Sequence, residues 1–504
     1  MSPPPGYSAV TAALTRTGLS VWSVGAIVMA GVAPLTVAAG VLPTALAVTG
    51  QTSIPAALIG VALILALFAV GYVRMARYLP NRGAFFAYVT GGLGRPVGVA
   101  AALVAVLAYT CLQVGLFGAL GPGAHDFALA HLGIDLPWWV WAGAAAVVVA
   151  VLSLWKVEVR IGVAGVLMAV EVLVILGLSA TGMLHPAAGT AAATLNPLNI
   201  TSHGLGALAV IATLGFVGFE GAAAYVEQAR HRARTVMVAT FGCLILIAGV
   251  YALAAYAMNT HYGVDSVVGV AQQQGPGAMF GLSGGALSLA GQALYLTSLF
   301  AAALAFQEYV NRYVYSLARE HVLPVVLART NRHDCPYLAS AGLSVAGMAV
   351  ITLYALAGWD PLVRLFFWIG TTGGYGILLL LALTSVAVVV FFARDPRGEH
   401  PLVRVVAPAL SALALAGMAV EAIGSYATLL GVADGAAESR LLPAAYLVVA
   451  VAGLVLAAVL RSRRPGIYAG IGGGHLTAAA GPPLVPAAPA PAPGGLYGNT
   501  GGWR

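Results

Sequence analysis

The sequence predicts an all-α polytopic membrane protein with about twelve transmembrane helices. Only 8% of its 504 residues are charged and 60% are hydrophobic, whereas an ordinary soluble domain carries about 25% charged residues. That composition excludes a soluble enzyme of two or three domains. The apolar runs are long and continuous and lack the ten-residue alternation of membrane strands, which favours helices over a β-barrel.

The helices can be located in order along the chain. A hydrocarbon core of about 30 Å requires roughly 20 mostly apolar residues in a helix. Residues 1–19 are then a cytoplasmic N-terminus, 20–464 form the membrane domain, and the Pro/Ala/Gly-rich residues 465–504 are expected to be a disordered cytoplasmic tail. The predicted spans are 20–47, 54–78, 96–120, 137–155, 161–184, 205–227, 236–258, 284–318, 338–357, 361–393, 403–430 and 441–461.

The basic residues alternate with these spans. All of the 23 lysines and arginines except Arg364 and Arg440 fall on the side that holds the N-terminus. The positive-inside rule therefore predicts that both termini are cytoplasmic. We expect the chain to lie in the inner (plasma) membrane of the cell. Because the basic residues are scattered singly, no nucleic-acid partner is expected. The three cysteines and ten histidines show no metal-ligand spacing, so we expect no metal site. We also expect no cofactor or catalytic site, because most of the histidines lie in loops and not inside the spans.

Two spans are interrupted near the middle of the bilayer by glycine, proline or both. Unwound backbone in lipid is tolerated only where it lines a cavity, and such paired interruptions are typical of transporters built on inverted repeats. Free N–H groups at a half-helix start could bind a substrate carboxylate, and freed carbonyls an ammonium. The alternative is that the glycines serve close helix packing. The interrupted segments are Ala30-Gly31-Val32-Ala33-Pro34 and Gly215-Phe216-Val217-Gly218-Phe219-Glu220-Gly221.

Three motifs carry a family resemblance over nearly the whole chain up to the tail. They are Gly218-Phe219-Glu220 with Glu227 and the basic run from Arg230 to Arg234, the stretch from Arg77 to Tyr88, and the stretch from Asn311 to Pro324. Together they resemble the amino acid–polyamine–organocation superfamily, in particular its bacterial amino acid permeases. The chain departs from that pattern in lacking the Gly-Ser-Gly triplet of the first helix and in carrying Gln307-Glu308 in the eighth.

The resemblance implies a fold and a function. The fold would have two inverted five-helix repeats, about 20–184 and 205–393, plus two extra helices at about 403–461. The function would be secondary active transport of an amino acid or related amine by alternating access, with proton-coupled symport favoured over exchange, a channel or a transport-dead sensor. Residues expected to line the substrate site are Ala30, Gly31, Val32, Ala33, Pro34, Gln113, Gly215, Phe216, Gly218, Phe219, Glu220 and Tyr375, with Phe216 and Phe219 as an aromatic gate.

Buried carboxylates are the candidates for carrying a coupling proton. A charge at the bilayer centre costs about 2.5–3.5 kcal/mol, so each needs a partner, a cavity or a proton. Glu220 and Glu308 are the proton-coupling candidates. Glu220 could equally hold the break open by hydrogen bonding, and Glu308 could pair with Arg312 one turn later. Glu171 is expected to be a hydrogen-bond partner between helices, and Thr297 with Ser298 could mark a sodium site instead.

Overall fold

The computed structural model describes residues 20–79, 83, 85–155, 157–187, 191–202, 204–225, 232–333 and 335–473. All regular secondary structure in these ranges is helical. The twelve principal helices are α1 Val21–Thr49, α2 Ile54–Met75, α3 Arg95–Leu132, α4 Trp138–Leu152, α5 Val157–Leu184, α6 Leu205–Ala222, α7 Arg232–Tyr262, α8 Gly285–Arg319, α9 Tyr337–Ala357, α10 Pro361–Arg394, α11 Leu402–Gly424 and α12 Ala437–Arg463.

The predicted fold class is confirmed. Within the described ranges, 11 of these helices have the length and apolar composition to cross a membrane, and α4, with 15 residues, is a shorter apolar helix. Each of the twelve overlaps one predicted span. The division into two inverted repeats stays a prediction.

Short helices connect the long ones. Phe85–Leu93 precedes α3 and packs against α3 and α10, and Val267–Gln274 packs against the last turns of α1. The other short segments are Ala192–Leu195, Pro197–Asn199, Gly277–Phe280, Val325–Ala328, Tyr426–Leu430 and Pro465–Gly470.

Helix α3 is the central element and is longer than predicted. It packs along α8, α10 and α12, and it continues through Pro122 to Leu132, where Gly133 in the left-handed conformation ends it. The sequence predicted its end near residue 120. Residues 121–132 continue the helix, and His125 on this extension bonds the Leu136 carbonyl (2.7 Å) of the returning chain.

The ordered domain also extends beyond the predicted boundary at residue 464. The chain forms the helix Pro465–Gly470, and Arg95 at the start of α3 donates to the Ala469 carbonyl (2.9 Å). The backbone N–H of Gly472 donates to Glu320 at the end of α8 (2.7 Å). One end of the bundle therefore holds the start of α3 and the ends of α8 and α12. The distribution of the basic residues also puts these three helix ends on one side of the membrane. The remainder of the predicted tail lies outside the described residues.

Candidate functional site

The first helix is broken where the sequence predicted it. Its first half, Val21–Val32, ends at Ala33, which adopts a left-handed conformation (φ 48°). Pro34 follows directly, and proline at the first position of a helix is favourable because its missing N–H has no helical partner there. The second half then begins with a π-helical segment, Thr36–Val41, and continues as Leu42–Thr49.

Side chains from α5 and α8 satisfy the N–H groups that this break exposes. The N–H of Leu35 donates to Glu171 (3.2 Å), and the N–H of Thr36 donates to the Ser298 hydroxyl (3.1 Å). Ser298 in turn donates to Glu171 (2.8 Å). The expectation that Glu171 is a hydrogen-bond partner between helices is therefore confirmed. Three helices are joined at the break through one buried carboxylate.

The sixth helix is broken in the same manner. Its α-helical half ends at Leu214, turns follow, and a 3₁₀ segment begins at Phe219. Gly218 between them has φ 111°, a conformation that residues with a side chain rarely adopt. Its N–H donates to the carboxylate of Glu220 (2.9 Å), two residues later.

Hydrogen bonds from two neighbouring helices also hold Glu220 at this break. Its side chain also accepts from the Tyr109 hydroxyl of α3 (2.5 Å), and its backbone carbonyl accepts from Tyr72 of α2 (3.2 Å). The Glu220 carboxylate therefore bonds the break, and its role as a proton carrier stays a prediction.

The two breaks touch each other through backbone. A Cβ atom on Gly218 would lie 2.9 Å from both the Gly31 carbonyl carbon and the Val32 nitrogen, so only glycine permits this approach. Tyr309 of α8 closes the same region, since a Cβ on Gly31 would lie 2.8 Å from its hydroxyl. Tyr309 packs edge-on against Tyr109 with ring centroids 5.3 Å apart.

A cavity of about 50 Å³ lies beside the breaks. Its wall is apolar, and the described lining residues include no charged side chain. The three lining hydroxyls all donate to other protein atoms, namely Thr36 to Ser298, Thr44 to the Gly40 carbonyl and Thr371 to the Phe367 carbonyl. The lining consists of Gly31, Val32, Ala33, Thr36, Val37, Val41, Thr44, Leu112, Gly115, Leu116, Ile211, Leu214, Val217, Ala302, Phe306, Phe366, Phe367, Gly370 and Thr371.

The structure brings part of the predicted site to this cavity. Of the predicted residues, Gly31, Val32 and Ala33 belong to the lining. The predicted residues adjacent to the breaks but outside the lining are Ala30, Pro34, Gly215, Phe216, Gly218, Phe219 and Glu220.

The aromatic side chains at the cavity differ from those expected. Phe216 packs against Tyr251 of α7 (centroids 6.2 Å apart) and Phe219 against Phe68 of α2 (6.0 Å), so neither covers the cavity in this structure. The lining phenylalanines are instead Phe306, Phe366 and Phe367. Sequence reasoning missed them because inward and lipid-facing phenylalanines on α8 and α10 are chemically alike, so the sequence does not reveal which of them face the cavity.

Three further predicted residues lie elsewhere. Gln113 is buried and donates to Gln307 of α8 (3.1 Å). Tyr375 packs against Tyr426, with centroids 5.6 Å apart, at the α10–α11 side. Glu308 is half-buried on α8 and outside the cavity lining.

The suggested sodium pair does not form a joint site. The Thr297 hydroxyl is on the exposed side of α8 and bonds the Leu294 carbonyl (2.8 Å), whereas Ser298 is buried.

Several motif residues lie outside the described residues, namely Pro80, Asn81, Arg82, Ala84, Glu227 and Arg230.

Comparison with known proteins identifies the family. No curated protein matches the chain. The profile of the family described as amino acid permease matches residues 19–454 and thus spans both broken helices and the cavity. The chain belongs to the amino acid permease family of the amino acid–polyamine–organocation superfamily, and is therefore a membrane transporter for amino acids or amines.

Proposed function

We propose that this protein is a secondary active transporter that carries its substrate through the cavity beside the two breaks by alternating access. The observation that carries the proposal is the position of the cavity, which is lined by both broken helices at the level of their breaks. Broken helices around a midplane site are the architecture with which many secondary transporters expose a substrate alternately to each side.

The cavity is asymmetric about the breaks. Its lining uses the second half of α1 and the first half of α6, for example Val41 and Ile211. On the other side of the breaks, Gly218 packs on Gly31 and Tyr309 fills the remaining space. With both termini cytoplasmic in the plasma membrane, as the basic residues predict, the cavity lies in the outer half. The conformation then corresponds to one that is closed toward the cytoplasm.

Proton coupling forms the second part of the proposal. Each break is bonded by one buried carboxylate, Glu171 at α1 and Glu220 at α6, and neither forms an ion pair with a described basic residue. A carboxylate that gains a proton loses acceptor capacity and becomes a donor. Protonation would therefore loosen one break and favour the conformational change. Glu308, the other candidate, is half-buried on α8 outside the cavity lining and is the weaker one.

The test is uptake by full-length protein in proteoliposomes, with a panel of labelled amino acids and amines. Gly370 provides a variant that blocks the cavity. It is buried and lines the cavity, yet a Cβ there would meet nothing within 4 Å, so a side chain would project into free space. We expect Gly370→Leu to abolish uptake without loss of folded protein.

Gly417→Leu is the matched control, because Gly417 is exposed on α11 and a Cβ there also meets nothing within 4 Å. Normal uptake by Gly370→Leu would refute the pathway. An imposed inward proton gradient should drive accumulation above the external concentration if coupling is to protons. Uptake only against preloaded internal substrate would instead establish an exchanger.

A further inference from the structure

The break in α1 leaves backbone carbonyls without helical donors, whereas its backbone N–H groups bond other protein atoms. In an unbroken helix the carbonyls of Ala30, Gly31 and Val32 would bond the N–H groups of residues 34, 35 and 36. Residue 34 is proline and has no N–H. The other two N–H groups are diverted to Glu171 and Ser298. Three successive carbonyls at the C-terminal, partially negative end of a half-helix thus lose their helical donors, and Gly31 and Val32 line the cavity.

The N–H groups around both breaks are occupied by protein atoms. In α1, Ala33 donates to Met29 and Val37 to Ala33. In α6, Glu220 takes the N–H of Gly218 (2.9 Å). Its neighbours donate to backbone carbonyls, namely Gly215 to Ile211, Phe216 to Thr213, Val217 to Leu214, Phe219 to Phe216 and Gly221 to Gly218.

A substrate carboxylate therefore finds no receptor at this site. Recognition of a buried carboxylate needs N–H or cationic donors, and an unmatched one is costly. The described lining residues supply no charged side chain, and their three hydroxyls already donate within the protein. An ammonium group has three donors and no acceptor, so it matches the freed carbonyls.

From this pattern we infer that the substrate is a small apolar organic amine without a carboxylate, bound with its ammonium on the carbonyls of the α1 break and its apolar part in the cavity. The inference rests on the proposed transport function and narrows its substrate class. The volume of the cavity limits the substrate to a small molecule, because about 50 Å³ corresponds to on the order of three to five water molecules. Its apolar wall, with Phe306, Phe366 and Phe367, suits an alkyl group.

The test compares each amine with the amino acid that differs from it by one carboxylate. Binding of isobutylamine against valine, and of ethylamine against alanine, is measured on purified full-length protein by thermal shift and by competition in uptake. We expect the amine to bind and be transported, and the amino acid to bind at least about tenfold more weakly. Equal or tighter binding of valine or alanine overturns the inference and leaves the transport proposal intact. Transport of no panel member by correctly folded protein overturns both.

A proline variant tests the carbonyl receptor itself. Pro34→Ala supplies an N–H that can restore the helical bond to the Ala30 carbonyl and draw the break toward regular helix, which would take the Gly31 and Val32 carbonyls from the ammonium, so amine affinity should fall severalfold. Pro122→Ala is the matched control, since Pro122 lies inside α3 beyond the cavity lining. Unchanged amine affinity in Pro34→Ala, with Pro122→Ala also unchanged, would contradict the assigned receptor. A thermal melt of each variant shows that the protein is folded.

Discussion

Gly218→Ala is the substitution that tests the contact between the two breaks most severely. Gly218 has φ 111°, and holding a residue with a side chain in such a region costs of order 1–3 kcal/mol. The new Cβ would also lie 2.9 Å from backbone atoms of Gly31 and Val32, which cannot rotate away as a flexible side chain can. Overpacking of this kind typically costs a further 1–3 kcal/mol.

The two terms together disfavour the contact by about 2–6 kcal/mol, which corresponds to at least about a thirtyfold loss of the packed conformation. The assay is the initial uptake rate at equal amounts of membrane-inserted protein, together with the melting temperature. Gly249→Ala is the control. It lies on the exposed side of α7, where a Cβ meets nothing within 4 Å and alanine favours the helix by about 0.5–1 kcal/mol. Uptake and melting of Gly218→Ala equal to wild type would refute the packed-break reasoning.

Two further substitutions test the hydrogen bonds that hold the breaks. Tyr109→Phe removes the 2.5 Å bond to Glu220 and should destabilise the protein by about 1.5–3 kcal/mol. Tyr88→Phe, whose buried hydroxyl bonds none of the described residues, should be neutral or stabilising in the same melt. Equal melting of the two variants would contradict the role of Tyr109. Ser298→Ala deprives the Thr36 N–H of its acceptor and should cost about 1–3 kcal/mol, but Thr297→Ala, one residue away on the exposed side, should change stability by less than about 0.5 kcal/mol. If Thr297→Ala is the more damaging variant, the account of the α1 break is wrong.

The sequence was informative about the helices and the breaks because both follow from composition along the chain. Twelve apolar runs and their flanking arginines suffice to locate the helices. Gly31 and the Ala33-Pro34 pair locate the unwinding at Ala33, and the glycines from Gly215 to Gly221 do the same for α6.

The lining of the cavity could not be predicted in the same way. In helices that are apolar on every side, lipid-facing and inward residues are chemically alike, so Phe216 could not be distinguished from Phe366. The carboxylate partners are also long-range. Glu171 and Leu35 are 136 residues apart, and Glu220 and Tyr109 are 111 residues apart. Their pairing depends on how α5, α3 and the broken helices pack together, and no local pattern encodes it.

Substrate protection of a cavity cysteine tests the central claim most directly. In a background without Cys111, Cys243 and Cys335, Val37→Cys places a thiol on the lining, and Leu129→Cys places one on the exposed extension of α3. Intact cells are treated with a membrane-impermeant thiol reagent. We predict that both are labelled and that saturating substrate slows labelling at residue 37 only. Labelling at residue 37 that substrate leaves unchanged, while residue 129 reacts normally, would contradict a substrate pathway between the two broken helices.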